Sequence, residues 1–170
     1  MSKILYGKPV AENLDIHSKD IFKDYTSQND KLPKLTAITV GDNPASLMYV
    51  SVKEKKAEKL GVEFNWIKLN ETTLESEIQE TIVKYSSSSQ GMIIQLPLPD
   101  HLDIEKIIDL IPSDIDVDGL TSFNLGKLYS ENFNVIPATS LAILELLSHY
   151  QIDTEDKNIV IAGRSRLVTS

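Results

Sequence analysis

Apolar and polar residues recur along the first hundred positions with two periods, one typical of strands and one typical of helices. Short apolar runs that end in a glycine or proline turn predict a buried strand at residues 35–41 and another strand at 91–99, and alternating apolar and polar residues predict a strand at 62–69. Apolar positions at helical spacing predict the elements between and before them, at residues 9–28, 43–60 and 73–85. This alternation with short connections predicts an α/β fold, a three-layer α-β-α domain around a mainly parallel sheet.

The last third of the chain continues the alternation. A short helix is predicted over residues 103–110, a longer helix over 139–150 and a strand over 158–163. A strand that turns through glycine toward a helix is how a dinucleotide-binding unit begins. We therefore expect a catalytic domain over residues 1–136. Over residues 137–170 we expect an interdomain helix and the first strand of a Rossmann-like domain that is cut short in this chain.

The helix predicted over residues 43–60 carries a lysine, Lys53, among its inward-facing positions. At about 100° per residue, the positions that share its orientation are Ser46, Val50, Ala57 and Leu60. Tyr49 lies one turn earlier. A half-buried ammonium group loses hydration, which favours the neutral amine and suits proton transfer near neutral pH. The alternative is a lysine whose stem crosses the apolar stripe and whose charge reaches water.

Two loops are expected to meet beside that helix. In open parallel sheets, ligands bind beyond the carboxyl ends of the strands. The segments "GDNPAS" and "QLPLP" follow the first and third strands at that edge, so Gln95 could face Tyr49 and Lys53. A neutral amide can orient a lysine without fixing its charge. The location therefore favours a catalytic role for the lysine.

The acidic segment "DIDVDG" (residues 114–119) resembles the start of a calcium-binding EF-hand loop. Its twelfth position would be Leu125, where such a loop needs a bidentate glutamate, so we reject a calcium site. A solvated turn is one remaining interpretation. Another is that a carboxylate binds a ring with adjacent N–H donors. Asp118 is then the best candidate, because Gly119 would let a ligand approach the backbone.

Composition narrows the functional classes. The net charge of -8 argues against general binding to nucleic acid or to an anionic membrane. The absence of cysteine excludes disulfides, zinc-cysteine sites and thiol catalysis, and the 3 histidines are scattered. No apolar run is long enough for a secretory h-region or a membrane span. We expect a cytoplasmic protein with no metal, nucleic-acid or membrane partner.

Four motifs resemble those of the bifunctional methylenetetrahydrofolate dehydrogenase/cyclohydrolase family. They are "GDNPASLMYVSVKEKKAEKLG", "GMIIQLPLP", "DVDG" and "GRS", in this order over residues 41–165. The resemblance implies two α/β domains with a cleft between them, a folate site in the first, an NADP site in the second, and a homodimer. It implies oxidation of 5,10-methylenetetrahydrofolate by NADP, followed by hydrolysis of 5,10-methenyltetrahydrofolate to 10-formyltetrahydrofolate.

The same resemblance implies roles for single residues. Lys53 is expected to be the key residue of the hydrolysis, where it activates water and transfers a proton. Tyr49 would stack near the folate, and Gln95 would interact with the lysine. Asp118 would anchor the pterin ring, and Pro97 of "QLPLP" would contribute to substrate binding. The residues expected to meet the NADP phosphates, at a site that is incomplete in this chain, are Gly163, Arg164 and Ser165.

Three positions or segments depart from the family pattern. Ile115 replaces a lysine, "PATSLA" (137–142) replaces "PCTPxG", and Thr169 replaces a glycine in the dinucleotide loop. Folate binding and hydrolysis are therefore better supported than hydride transfer. An alternative is a folate-binding or oligomerising paralogue that has lost catalysis. An amino-acid dehydrogenase also pairs a lysine with a Rossmann unit, but it would not explain "QLPLP" together with "DVDG".

Overall fold

The structure is a computed structural model that describes residues 4–162 of the chain. Helices and strands alternate over most of this range. In chain order they are α1 (Gly7–Asn29), β1 (Lys34–Val40), α2 (Pro44–Leu60), β2 (Glu63–Leu69), α3 (Glu75–Ser86), β3 (Gly91–Ile94), α4 (Ile104–Ile108), α5 (Ser122–Tyr129) and α6 (Ala138–His149). The predicted α/β class is confirmed.

The strands form a parallel sheet in the order β2-β1-β3. Beside the start of β3 the chain passes once more in parallel, through a bridge between Met92 and Asp116. There the Met92 N–H donates to the carbonyl of Ile115 at 2.7 Å. The acidic segment is thus fixed along the open side of β3, and its last residues lie next to the sheet.

The two faces of the sheet are covered by different helices. On the face covered by α3 and α4, which we call the α3 face, one apolar cluster includes Ile38, Ile78 and Ile107. On the opposite face, which we call the α2 face, Ala37, Val50 and Ile93 form a smaller cluster. Successive strand residues point to opposite faces, which separates the two sets. The predicted three-layer arrangement is therefore confirmed.

Local signals fix the ends of α2 where the sequence predicts them. The Asn43 side chain accepts hydrogen bonds from the N–H groups of the first turn, and proline follows at the first helical position. Gly61 ends the helix with a φ of 78°, a conformation that glycine adopts without a steric penalty. Asp15 of α1 binds Lys56 and Lys59 of α2 at 2.6 and 2.9 Å. The hydrogen bond from Lys56, and after it the one from Lys59, lowers the pKa of the Asp15 carboxyl.

Three parts of the structure differ from the sequence-based expectations. The strand predicted over residues 91–99 is shorter, because β3 ends at Ile94. The α5 helix was not anticipated. No strand is present at residues 158–162, where one was predicted, and Ile159, Val160 and Ile161 are exposed there. A strand needs a neighbour to pair with its backbone, and in residues 4–162 nothing pairs with this segment. The Rossmann-like start and the domain boundary at residue 136 stay predictions.

Candidate active site

Lys53 lies where the helical stripe predicts. Its neighbours Ser46, Val50 and Ala57 are buried against the sheet, whereas the lysine side chain remains 37% exposed. Its ammonium nitrogen is 3.9 Å from a carboxylate oxygen of Asp118. The stem therefore crosses the apolar stripe, and the charge ends beside a carboxylate at the border between α2 and the acidic loop.

Asp118 is the more enclosed member of this pair, with 28% of its side chain exposed. Burial raises the pKa of the Asp118 carboxyl above its usual range. The positive charge of Lys53 lowers that pKa in part, and the negative charge of Asp116 raises it further. Perturbed carboxyl groups beside a lysine are typical of functional sites, although structural ion pairs produce them too.

The loop that carries Asp118 is organised by the buried side chain of Asp116. One oxygen of Asp116 accepts from the N–H groups of Gly119 and Leu120, at 3.0 and 3.2 Å. The other accepts from the Thr121 N–H and the Asn124 amide, both at 2.9 Å. This network was not anticipated from the sequence. The spacing of Thr121 and Asn124, a cap at the start of α5, was the available signal.

Gly119 has a packing role that was not anticipated from the sequence. Its φ of 68° favours glycine, and a Cβ there would lie 3.2 Å from the backbone nitrogen of Pro137. The space beside Gly119 is filled by residues 135–137 of the chain itself. On this side of Gly119 the chain itself therefore leaves no room for a ligand, and the expectation that a ligand approaches the backbone there stays a prediction for its other side. Its absent side chain lets the acidic loop pack against the start of α6.

Gln95 and Pro97 follow β3 at the carboxyl edge of the sheet. The Gln95 amide donates to the carbonyl of Leu96 at 2.8 Å, while its side-chain oxygen is buried and has no hydrogen-bond partner in the described part of the chain. Gln95 and Lys53 share no hydrogen bond here, so the expected interaction between the two stays a prediction. Ser46 of α2 donates to the same Leu96 carbonyl at 3.3 Å, which ties this loop to the helix. Pro97, preceded by a cis peptide bond, is exposed.

Apolar surface adjoins the Lys53–Asp118 pair. Tyr49 is 59% exposed, one helical turn from the lysine, so one ring face is available to a planar ligand. Below the lysine, a cavity of about 340 Å³ opens between α1, α2 and the amino ends of β1 and β3. Phe22, Leu35 and Val117 contribute to its walls, and its lining is almost entirely apolar.

The structure bears on three further points, namely the cofactor site, metal ions and membranes. Gly163, Arg164 and Ser165, expected to meet the NADP phosphates, lie outside the described residues. Across residues 4–162 no group of three histidine, cysteine, aspartate or glutamate side chains could hold a metal ion. In the same range, each helix is too short or too polar to cross a membrane.

Comparison with known proteins identifies the family. A model of the tetrahydrofolate dehydrogenase/cyclohydrolase catalytic domain matches residues 5–118. The chain belongs to this family. That range contains Tyr49, Lys53, Gln95 and Asp118, so the family match extends through the candidate site.

Individual members of the tetrahydrofolate dehydrogenase/cyclohydrolase family match nearly the whole chain. The bifunctional protein FolD of Streptococcus mutans is 39% identical over 170 residues, which are 99% of this chain and 60% of that protein. The crystal structure of the Campylobacter jejuni FolD enzyme has a TM-score of 0.91 at 34% identity and covers 98% of this chain and 60% of its own. The chain thus spans about three fifths of the length of these relatives.

A more distant member supports the fold alone. The Trypanosoma brucei dehydrogenase-cyclohydrolase, described as complexed with NADP cofactor and an inhibitor, has a TM-score of 0.91 at 23% identity. Its match covers 98% of this chain and 58% of its own. At this level of identity, the comparison supports the α/β architecture, and the cofactor is a property of that protein.

Proposed function

We propose that this chain carries the folate site of a methylenetetrahydrofolate dehydrogenase/cyclohydrolase and that Lys53 catalyses the hydrolytic step. One observation carries the proposal: the lysine nitrogen lies 3.9 Å from Asp118, at the border of a half-open, partly apolar site. Asp118 would accept hydrogen bonds from the adjacent N–H groups of the pterin ring. Tyr49 would stack on the neighbouring part of the folate, and Pro97 would form part of the rim.

The hydrolysis follows from the charge of its substrate. The methenyl carbon is bonded to two nitrogens and is cationic, so water adds to it readily once a base removes a proton. In the proposal, binding of the pterin ring to Asp118 releases Lys53 from its ion pair, and the deprotonated lysine takes that proton while the water oxygen bonds to the methenyl carbon. The bond from this carbon to N5 then breaks, N5 gains a proton and the new hydroxyl loses one. The products are 10-formyltetrahydrofolate and one proton.

Gln95 would orient the reacting groups. Its buried side-chain oxygen has no partner among the described residues, so it can accept a hydrogen bond from Lys53, from water or from the substrate. Leaving a buried acceptor unpaired costs about 1–3 kcal/mol. A ligand that donates a hydrogen bond to the Gln95 oxygen would therefore bind more tightly or in a better defined orientation.

The whole protein would also oxidise 5,10-methylenetetrahydrofolate with NADP. Hydride transfer needs close alignment of two carbons and little acid-base help from side chains. Gly163, Arg164 and Ser165 are the residues proposed for the NADP phosphates. A homodimer, a cytoplasmic location and a supply of one-carbon units for purine biosynthesis complete the proposal, and they rest on membership of the family.

The test is the rate at which the chain removes methenyltetrahydrofolate, followed by its absorbance. We expect Lys53→Met to lower the enzymatic rate by about a hundredfold or more, the usual contribution of a general base. Lys55→Met, at an exposed position of the same helix, is the matched control and should keep the wild-type rate. An unchanged rate in Lys53→Met would refute the catalytic assignment. Folate binding without hydrolysis by the wild type would favour the non-catalytic paralogue.

A further inference from the structure

Two aspartates of the same loop have opposite environments although one residue separates them. Asp116 is 1% exposed, and four N–H groups surround its carboxylate. Asp118 is partly exposed, and its carboxylate faces Lys53. The protein therefore supplies all the hydrogen bonds that the Asp116 carboxylate accepts, whereas the Asp118 carboxylate faces the candidate site.

The environment of Asp116 requires a hydrogen-bond acceptor at both side-chain oxygens. Both oxygens are occupied only by donors, and an ionised carboxylate accepts hydrogen bonds without donating any. An asparagine of the same shape would place an NH₂ group against backbone N–H groups, which leaves donors facing donors. The network thus depends on this one side chain.

The hydrogen bonds of Asp116 enclose the backbone of Asp118. Three of the donors are the consecutive N–H groups of residues 119–121, which follow Asp118 directly. On the other side, Ile115 is held to β3 by the N–H of Met92. The Asn124 amide also donates to the Ser113 carbonyl at 2.9 Å, which joins α5 to the residue before the acidic segment.

We propose that Asp116 is a positioning residue that holds Asp118 opposite Lys53. It does not contact the ligand, and it acts by fixing the backbone on both sides of the residue that does. The effect on the loop is a property of the free protein. The effect on folate affinity rests on the proposed function.

The first experiment needs no ligand. The Asp118 carboxyl is titrated by ¹³C NMR in four versions of the 170-residue chain: wild type, Lys53→Met, Asp116→Asn and the double variant. In the wild-type background, Lys53→Met should raise the titration midpoint of Asp118, because the lysine charge no longer favours the carboxylate. In the Asp116→Asn background, the same change should have less than about half that effect, because Asp118 no longer faces position 53. An equal effect in both backgrounds would overturn the proposal.

The second experiment measures affinity for folic acid by calorimetry. Asp116→Asn should weaken binding about tenfold when Asp118 is present and less than about twofold in an Asp118→Asn background. Equal losses in both backgrounds would show that Asp116 acts without Asp118 and would overturn the proposal. A wild-type chain that binds no folic acid would refute the proposed function, while the ligand-free titration still decides whether Asp116 positions Asp118.

Two further variants keep the result interpretable. Asp109→Asn is the matched control, because the Asp109 carboxylate accepts from the Ser122 N–H at 2.6 Å, outside the loop of Asp118. It should leave the Lys53–Asp118 coupling unchanged, and a loss of coupling there would contradict the proposal.

If Asp116→Asn does not fold, Asn124→Ala replaces it. That variant removes one of the four donors and should give a smaller loss of coupling in the same direction, and unchanged coupling would count against the proposal.

Discussion

The two faces of the sheet are built for different tasks. The α3 face has an extensive apolar cluster in which Ile38, Ile78 and Ile107 are fully buried. Among residues 4–162, the buried cluster of the α2 face consists of Ala37, Val50 and Ile93, and a cavity opens on the same face under α2. The face with the smaller core also presents the lysine, the paired carboxylate and the exposed tyrosine.

This difference indicates that stability depends mainly on the α3 face and function mainly on the α2 face. Close packing on one face supplies most of the apolar burial, so the other face can keep small residues, charged groups and open space. Substitutions on the α3 face should therefore change stability without changing folate affinity. Substitutions on the α2 face should change affinity at a smaller cost in stability.

The largest effect on stability is expected at the α3 face. Ile78→Ala should lower the free energy of unfolding by about 2–5 kcal/mol, because it leaves a cavity in a fully buried cluster. Val83→Ala, on an exposed part of the same helix, is the control and should change it by less than about 0.5 kcal/mol. Denaturant unfolding measures both. Weaker folic acid binding by folded Ile78→Ala would contradict the expectation that the α3 face affects stability and not folate affinity.

A smaller loss is expected where the sheet meets the acidic loop. A Cβ at Gly91 would lie 2.7 Å from a methyl carbon of Val117, the residue before Asp118. Gly91→Ala should therefore lower the free energy of unfolding by about 1–3 kcal/mol and weaken folic acid binding as the loop shifts. Gly126→Ala is the control, since its Cβ would meet nothing within 4 Å inside α5. It should stabilise the chain by about 0.5–1 kcal/mol. Unchanged binding in Gly91→Ala would contradict the link between this contact and the site.

The smallest effect is a pH dependence at Asp118. Burial raises the pKa of this carboxyl in the folded state, so the folded chain holds the proton more tightly than the unfolded chain does. The wild type should therefore lose stability relative to Asp118→Asn as the pH rises from about 3.8 through the raised pKa, with no further change above it. Unfolding measured in a pH series tests this. A difference that is flat or of opposite sign would contradict the assignment.

The sequence predicted the elements whose signals are local. The Asn43–Pro44 start of α2, its Gly61 end and the stripe that contains Lys53 all lie where the pattern indicates. The β-branched runs predict the strands for the same reason, since alternation and glycine ends are visible in the sequence. The positions of Tyr49 and Lys53 on one helix follow from spacing alone.

Features that depend on contacts with residues distant in the sequence were either not predicted or predicted wrongly. The residues that Asp116 binds are mainly backbone N–H groups, which carry no sequence signal, so Asp118 alone was singled out. The α5 helix is short and contains Gly126, which weakens its helical pattern. The apolar run at residues 158–162 has strand propensity but no pairing neighbour among the described residues, and propensity alone does not form a strand.

The most direct test of the account is a map of backbone amide chemical shifts on titration with folic acid. We predict that the largest changes cluster on the α2 face and the loops beside it, at Tyr49, Lys53, Gln95 and Asp118. Amides of α3 and α4 should change little. No changes, or changes centred on the α3 face, would contradict the assignment of the α2 face as the folate site.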